Sequence, residues 1–364
     1  MTFSTYESIG VRPLINCRGT YTIISGSLAL PEVKAAMDAA SKHYVHMDEL
    51  MEKVGERLAE VMQCEFGIVT NGCAAAICQV TSACMVGDDP DGIRHLPDTT
   101  GFKDEVVLQK KHQHVYNHAI KMTGARIVEV NTLEEMEAVV GDKTAMLAVF
   151  GDAAERGDVS VAEMVVIGKR EGIPVFVDAA AERPDVPNRY IEEGADAVAY
   201  SGGKCLRGPQ SAGLLLGKRD LLWAAFLNGA PHHSIGRPMK VGKEEIMGLL
   251  AAVEMWVQRD HDAEWKMWES WLEEIWQAVR HVPSITRDIQ MPGRSNVSPI
   301  LKVGWDATHV ELTPVQAKQA LSDGEPRIEV FTHSTGVEFM PYMMEQGEAA
   351  VVASRLHEVL QSGK

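Results

Sequence analysis

The chain has 364 residues, with 35 Lys and Arg against 51 Asp and Glu and a formal net charge of -16. That length holds one large domain with an appendage, or two ordinary ones, and 45% hydrophobic with 24% charged residues is the composition of a folded protein rather than a disordered one. So large an acidic surplus repels phosphate backbones and anionic membranes, which argues against non-specific nucleic-acid or membrane binding.

At the N-terminus, MTFSTYESIG lacks the basic start and apolar run of a secretory leader, and no stretch nears the ~18 apolar residues of a membrane-spanning helix. The six cysteines (17, 64, 73, 78, 84 and 205) form no CxxC pair. They read as reduced thiols of a cytoplasmic protein, with no metal site. From there the chain alternates β-rich and helical runs. GIVTNG (67–72) predicts a strand ending in a turn, and 74–86 the helix after it. EVVLQK (105–110) predicts a strand, 114–124 a helix closed by Gly124, and ARIVEV (125–130) a strand. A helix follows at TLEEMEAVVG, then a strand at 144–151, a helix at 161–172 and a strand at 173–180. AVAYSGGK and GLLLG complete seven strands. Continuous apolar strands alternating with helices predict a parallel sheet buried on both faces, with ligands at the carboxyl ends of its strands. Residues 241–285 predict one long Trp-rich helix, its aromatic residues serving packing. Beyond Pro292, short strands and two helices predict a small α+β domain, against which the N-terminal forty or so residues pack.

The residues with chemical potential stand just after strands. In VFVDAAAERP (175–184) an apolar strand delivers Asp178 to its carboxyl end, as a helix cap or as a partner for positive charge. In AVAYSGGKCLRGPQSAG (197–213) the next strand delivers Lys204, flanked by glycines and backed by apolar strands. Desolvation there disfavours an ammonium and favours an amine nucleophile. Taken alone, each has a bland reading as a cap or a surface lysine. An Asp and a Lys on successive strand ends are together the pair that holds pyridoxal 5'-phosphate (PLP): the lysine bonds the aldehyde and the carboxylate keeps the ring nitrogen protonated. A phosphate seat is then needed upstream. VTNGCAAA (69–76) offers one, with Thr70, Asn71, Gly72 and Cys73 at a strand-to-helix junction where free N–H groups and the helix dipole face an anion.

These segments, with INCRGTYTIISGSLALPEV (15–33) and GRPMKVGKEEIMGLLAAVE (236–254), resemble the fold-type I PLP-dependent enzymes of the selenocysteine synthase type, including their short ammonia-lyase members. The resemblance spans nearly the whole chain and is weakest after 260. It implies an α/β fold-type I transferase fold, with a mostly parallel seven-stranded sheet in a large domain and a small α+β C-terminal domain. The implied division is 1–45 as a segment on the small domain and active site, 46–240 as the PLP-binding domain, 241–285 as an interdomain helix, and 286–364 as the small domain. It maps the aldehyde-bonding lysine onto Lys204 and the ring-nitrogen carboxylate onto Asp178. It further proposes His112, with His114 as second choice, to stack on the ring, and Ser201 as a phosphate donor. Arg18 and Arg327 are implied for the substrate carboxylate, and Arg237 and Lys240 for a phosphate across a dimer interface. The expected activity is a lyase that eliminates a β-hydroxyl from a small amino acid or amino-sugar acid, giving a 2-keto acid and ammonia. The alternatives are a racemase or epimerase, an aminotransferase, or a non-catalytic PLP-binding protein. A homodimer or larger homo-oligomer is implied, and the acidic charge makes a transfer-RNA substrate unexpected.

Overall fold

A computed structural model describes residues 4–151, 157–295 and 297–363. The chain clusters into two units, Ser27–Arg259 and Met1–Gly26 with Asp260–Lys364. A short strand, β1 (Leu14–Asn16), belongs to the second of these.

The larger unit begins with α1 (Pro31–Ser41) and α2 (Met47–Met62), which pack on the later helix α10 (Lys243–Gln258). Between them run β2 (Phe66–Thr70), α3 (Gly72–Val86), α4 (Pro90–His95) and β3 (Glu105–Gln109). Next come α5 (His118–Lys121), β4 (Arg126–Val130), α6 (Leu133–Val139), β5 (Thr144–Phe150) and α7 (Val161–Glu171). The unit is completed by β6 (Val175–Asp178), α8 (Arg189–Glu193), β7 (Ala197–Ser201), β8 (Gly213–Gly217) and α9 (Arg219–Leu227). The strands form one seven-stranded sheet in the order β2-β8-β7-β6-β5-β3-β4. β4, β3, β5, β6 and β7 pair in parallel, and β8 runs against both its neighbours. This is the mostly parallel sheet expected from the sequence.

The strands are apolar on both faces because helices cover both. β2, β5, β6 and β8 are buried at every position, and α3, between two glycines, is buried nearly all round. Replacing a buried leucine such as Leu215 by alanine costs about 2–5 kcal/mol. One of the two edge strands, β4, is blunted by charge: Arg126 bonds Asp104 at 3.0 Å and Glu105 at 3.0 Å. α7 starts where the sequence marks it, with a capping box between Ser160 and Glu163, and stops at Gly172 with φ 65°.

Two local expectations change. The helix expected over 114–124 is a single 3-10 turn, Val115–Asn117, followed by the one-turn α5. Its His, Val, Tyr and Asn residues are poor helix formers, and the Thr123 hydroxyl donates to the Ile120 carbonyl at 2.7 Å just before Gly124. The single helix expected over 241–285 is two, α10 and α11 (His261–Val279). Arg259 is extended between them, and the Asp260 carboxylate starts the second by accepting from the Ala263 N–H at 2.9 Å.

The second unit holds α11, β9 (Thr286–Gln290), β10 (Ile300–Gly304), α12 (Pro314–Asp323), β11 (Arg327–Glu329), β12 (Phe331–His333), β13 (Gly336–Phe339) and α13 (Glu348–Ser362). Four of its strands make an antiparallel sheet, β12-β13-β10-β9, and β1 pairs in parallel with β11. Leu272, Ile275 and Val279 of α11 join Leu301, Phe339, Val352 and Leu356 in its core. Within this division, residues 27–45 cluster with the larger unit and only 1–26 with the smaller. No helix among the described residues is long and apolar enough to cross a membrane.

Candidate active site

The carboxyl ends of β2, β6 and β7 each deliver one part of a site. β6 ends on Asp178, in register with Phe150 of β5 on one side and Ala199 of β7 on the other. Its carboxylate is 6% exposed and accepts from the Ala180 N–H at 3.1 Å. The Cys73 thiol, on the first turn of α3, is hydrogen-bonded to this carboxylate. Burial, and then the adjacent charge of Asp178, push the Cys73 pKa well up, while the charge of Lys204 pulls against them. The thiol is therefore within electrostatic reach of both. Residues 73, 178 and 204, far apart in the chain, are thus brought within electrostatic range of one thiol.

α3 opens without a side-chain cap and without an acidic residue in its first turn. Asn71, at its N-cap, turns its amide away to donate to the Lys240 carbonyl at 2.8 Å. The Thr70 hydroxyl, fully buried, donates to the Gly72 carbonyl at 2.9 Å and so shapes the turn. Gly72 sits at φ 72°, where a side chain is strained, and a Cβ placed there meets nothing within 4 Å. Open room lies against the exposed N–H groups of a fifteen-residue helix. Ser201 ends β7, half-buried. Lys204 follows on a turn closed by the Arg207 N–H donating to its carbonyl at 2.9 Å.

The other expected residues are placed as follows. His112 is 2% exposed after β3. His114 is half-buried, its ring stacked on Phe150 at 5.5 Å between centroids. In the smaller unit, Arg18 reaches Glu329 at 3.6 Å and lies over the Phe331 ring at 4.9 Å, while its buried Nε finds no acceptor among the described residues. Arg327 Nε donates to the Ser322 carbonyl at 3.2 Å. Arg237 and Lys240 are exposed on the loop that Asn71 touches.

Sequence reasoning missed three features. Glu182, four residues after Asp178, is a buried carboxylate whose two oxygens accept from the Tyr190 hydroxyl at 2.9 and 3.0 Å. Behind it the Tyr200 hydroxyl accepts from Asn188 at 2.7 Å. Arg259 donates to backbone carbonyls in the Lys204 turn. A charged residue inside the DAAAERP run was the available signal for Glu182; the other two join residues with no local pattern in common.

A buried acid beside a lysine, with an open anion seat at a helix start, suits a group that joins an aldehyde, a basic aromatic nitrogen and a phosphate. That is the outline of PLP, and the residues present fit it.

A family model described as aminotransferase class-V matches residues 39–233, and the chain belongs to that family, whose cofactor is PLP. It is 29% identical over 375 residues to the D-glucosaminate-6-phosphate ammonia lyase of Salmonella typhimurium, covering 99% of each chain. A 5'-C-glycyluridine monooxygenase-decarboxylase of a Streptomyces species is 36% identical over 261 residues, 68% of this chain and 64% of that protein. The L-seryl-tRNA(Sec) selenium transferase of Moorella thermoacetica is 26% identical over 78% of this chain and 60% of its own length. Among solved structures, one of a D-glucosaminate-6-phosphate ammonia-lyase superposes with a TM-score of 0.89, at 28% identity and full coverage of both chains.

Proposed function

We propose that this chain is a PLP-dependent ammonia-lyase acting on a small amino acid with a β-hydroxyl, of the amino-sugar acid type. The convergence of Cys73, Asp178 and Lys204 beside the open start of α3 carries the reading, and the full-length similarity to an ammonia lyase supports its direction.

When bound, the cofactor supplies an electron sink for negative charge developing at the substrate Cα. The N–H groups of Gly72, Cys73 and the following turn would hold its phosphate, with the Ser201 hydroxyl as a further donor. Asp178, buried and oriented by Cys73 and the Ala180 N–H, would hold negative charge against the ring nitrogen. Lys204 Nζ would hold the cofactor through its aldehyde, and as an amine it is the group placed to accept the Cα proton and to hand a proton to the departing β-oxygen. The Cα–H and Cβ–O bonds break and water leaves. The released enamine takes up water to give a 2-keto acid and ammonia. Arg18, whose Nε is spare among the described residues, is the stronger of the two arginines proposed for the substrate carboxylate, with Arg327 second. A histidine after β3 covers the ring face: His112 is the first choice and His114 the second.

Ammonia and 2-keto acid release from D-glucosaminate 6-phosphate, from other β-hydroxy amino acids and from amino acids lacking the hydroxyl tests this directly. The lyase reading requires equimolar ammonia and keto acid from hydroxylated substrates alone. Racemised substrate without ammonia, or a keto acid formed only with an added amino acceptor, assigns the same site to the alternative reactions.

A further inference from the structure

The turn that carries Lys204 has a support that the reaction itself does not use. After β7 the chain doubles back: the Gly202 N–H donates to Ala212 at 2.8 Å, the Gly208 N–H to Gly202 at 2.8 Å, and the Arg207 N–H to Lys204 at 2.9 Å. These bonds leave the carbonyls of Cys205 and Leu206, the two residues after the lysine, pointing outward from the turn, and both residues are buried. Arg259 meets them, its two terminal nitrogens donating to Cys205 at 3.1 Å and to Leu206 at 3.4 Å. The guanidinium lies over the Trp256 ring at 5.1 Å, and that indole, 4% exposed, is pinned by its N–H to the Pro184 carbonyl at 2.9 Å. From the other side the Cys205 thiol donates to the Glu182 carbonyl at 3.3 Å. Arg259 also ends α10 and is the last residue of the larger unit.

We propose that Arg259 is a positioning residue for Lys204, clamping the lysine's turn through the Cys205 and Leu206 carbonyls. A planar fork with two donors held flat on an indole fits two successive carbonyls; a lysine ammonium, a single point of charge, fits them less well. The clamp fixes where Nζ projects, and the inference rests on Lys204 being the residue that bonds the cofactor.

The test uses the full chain and PLP itself as the probe. Cofactor affinity is measured by spectroscopic titration for wild type, Arg259→Ala, Arg259→Lys, Arg183→Gln and Lys204→Ala, beside the Tm of each apo protein. Arg183 shares the Trp256 ring, at 5.7 Å, and serves as the control for the stack. Losing two charged hydrogen bonds to the turn predicts affinity weakened about tenfold or more in Arg259→Ala, an intermediate value in Arg259→Lys, and a change within about twofold in Arg183→Gln. If Arg259→Ala does not fold, Arg259→Lys decides. Wild-type affinity in a folded Arg259 variant, whatever its Tm, overturns the inference. An absorption band that persists in Lys204→Ala overturns instead the reading of Lys204 on which it rests.

Discussion

The two ends of the seven-stranded sheet carry charge in opposite ways. At the carboxyl end Asp178 is buried and bonded to a thiol that also feels the charge of a lysine. At the amino end a cavity of 450 Å3 is lined by five ionisable groups, Glu65, Lys169, Asp196, Lys218 and Asp220. There Lys218 pairs with Asp196 at 2.5 Å and remains 59% exposed, so water screens what the pair does. Charge becomes chemistry where the fold removes water and leaves a partner only partly matched. A concave surface with ionic side chains does not suffice.

Substitutions at the two ends should therefore differ by orders of magnitude. Lys204→Ala is expected to abolish the visible absorption of the cofactor-loaded protein and to lower kcat by about 10,000-fold or more, as loss of a proton-transferring group implies. Asp178→Asn should retain the fold and lower kcat by roughly 100-fold or more, because the ring nitrogen loses its charged partner; steady-state ammonia release measures both. Gly72→Ala forces a side chain into a left-handed turn, at about 1–2 kcal/mol by thermal unfolding, and should weaken PLP binding measurably. Lys218→Ala, at the other end, should change stability by less than about 1 kcal/mol and leave ammonia release at the wild-type rate. A large loss of activity there would erase the contrast.

Much of this was legible in the residues. Uninterrupted Val, Ile, Leu and Ala runs marked the strands, and strand-end Asp178 and Lys204 marked the candidate site, because burial on both faces forces apolar sequence and leaves polar residues only at the ends. The short turns after β3, where a helix was expected, were not legible, since His114, Tyr116 and Asn117 carry no strong propensity. Nor was the break at Arg259, where the apolar spacing of α10 runs on towards that of α11 and only the side-chain cap of Asp260 divides them. The Arg259 clamp and the Cys73–Asp178 bond join positions more than fifty residues apart through unlike residue types, so no spacing announces them. Outcome is harder still to read: relatives named as an ammonia lyase, a monooxygenase-decarboxylase and a selenium transferase align with this chain.

The thiols sharpen the point at smaller scale. The six cysteines are free. Burial pushes Cys78 and Cys205 up to about 12, so at pH 8 only about one molecule in ten thousand of either is thiolate. Cys64, pushed by burial to about 11 and only partly covered, is expected to alkylate faster than both in the native protein, with all six reacting once it is unfolded. Peptide mass mapping after a timed iodoacetamide reaction gives the order.

The central claim is that PLP sits at the carboxyl end of the sheet, bonded to Lys204. Borohydride reduction of the PLP-loaded protein, followed by proteolysis and mass spectrometry, fixes the cofactor to whichever lysine holds it. The reduced cofactor is expected on the peptide containing Lys204 and to be lost from it in Lys204→Ala. Modification centred on another lysine, such as Lys240 or Lys110, or a protein that stays unlabelled in saturating PLP, would contradict the account at its root.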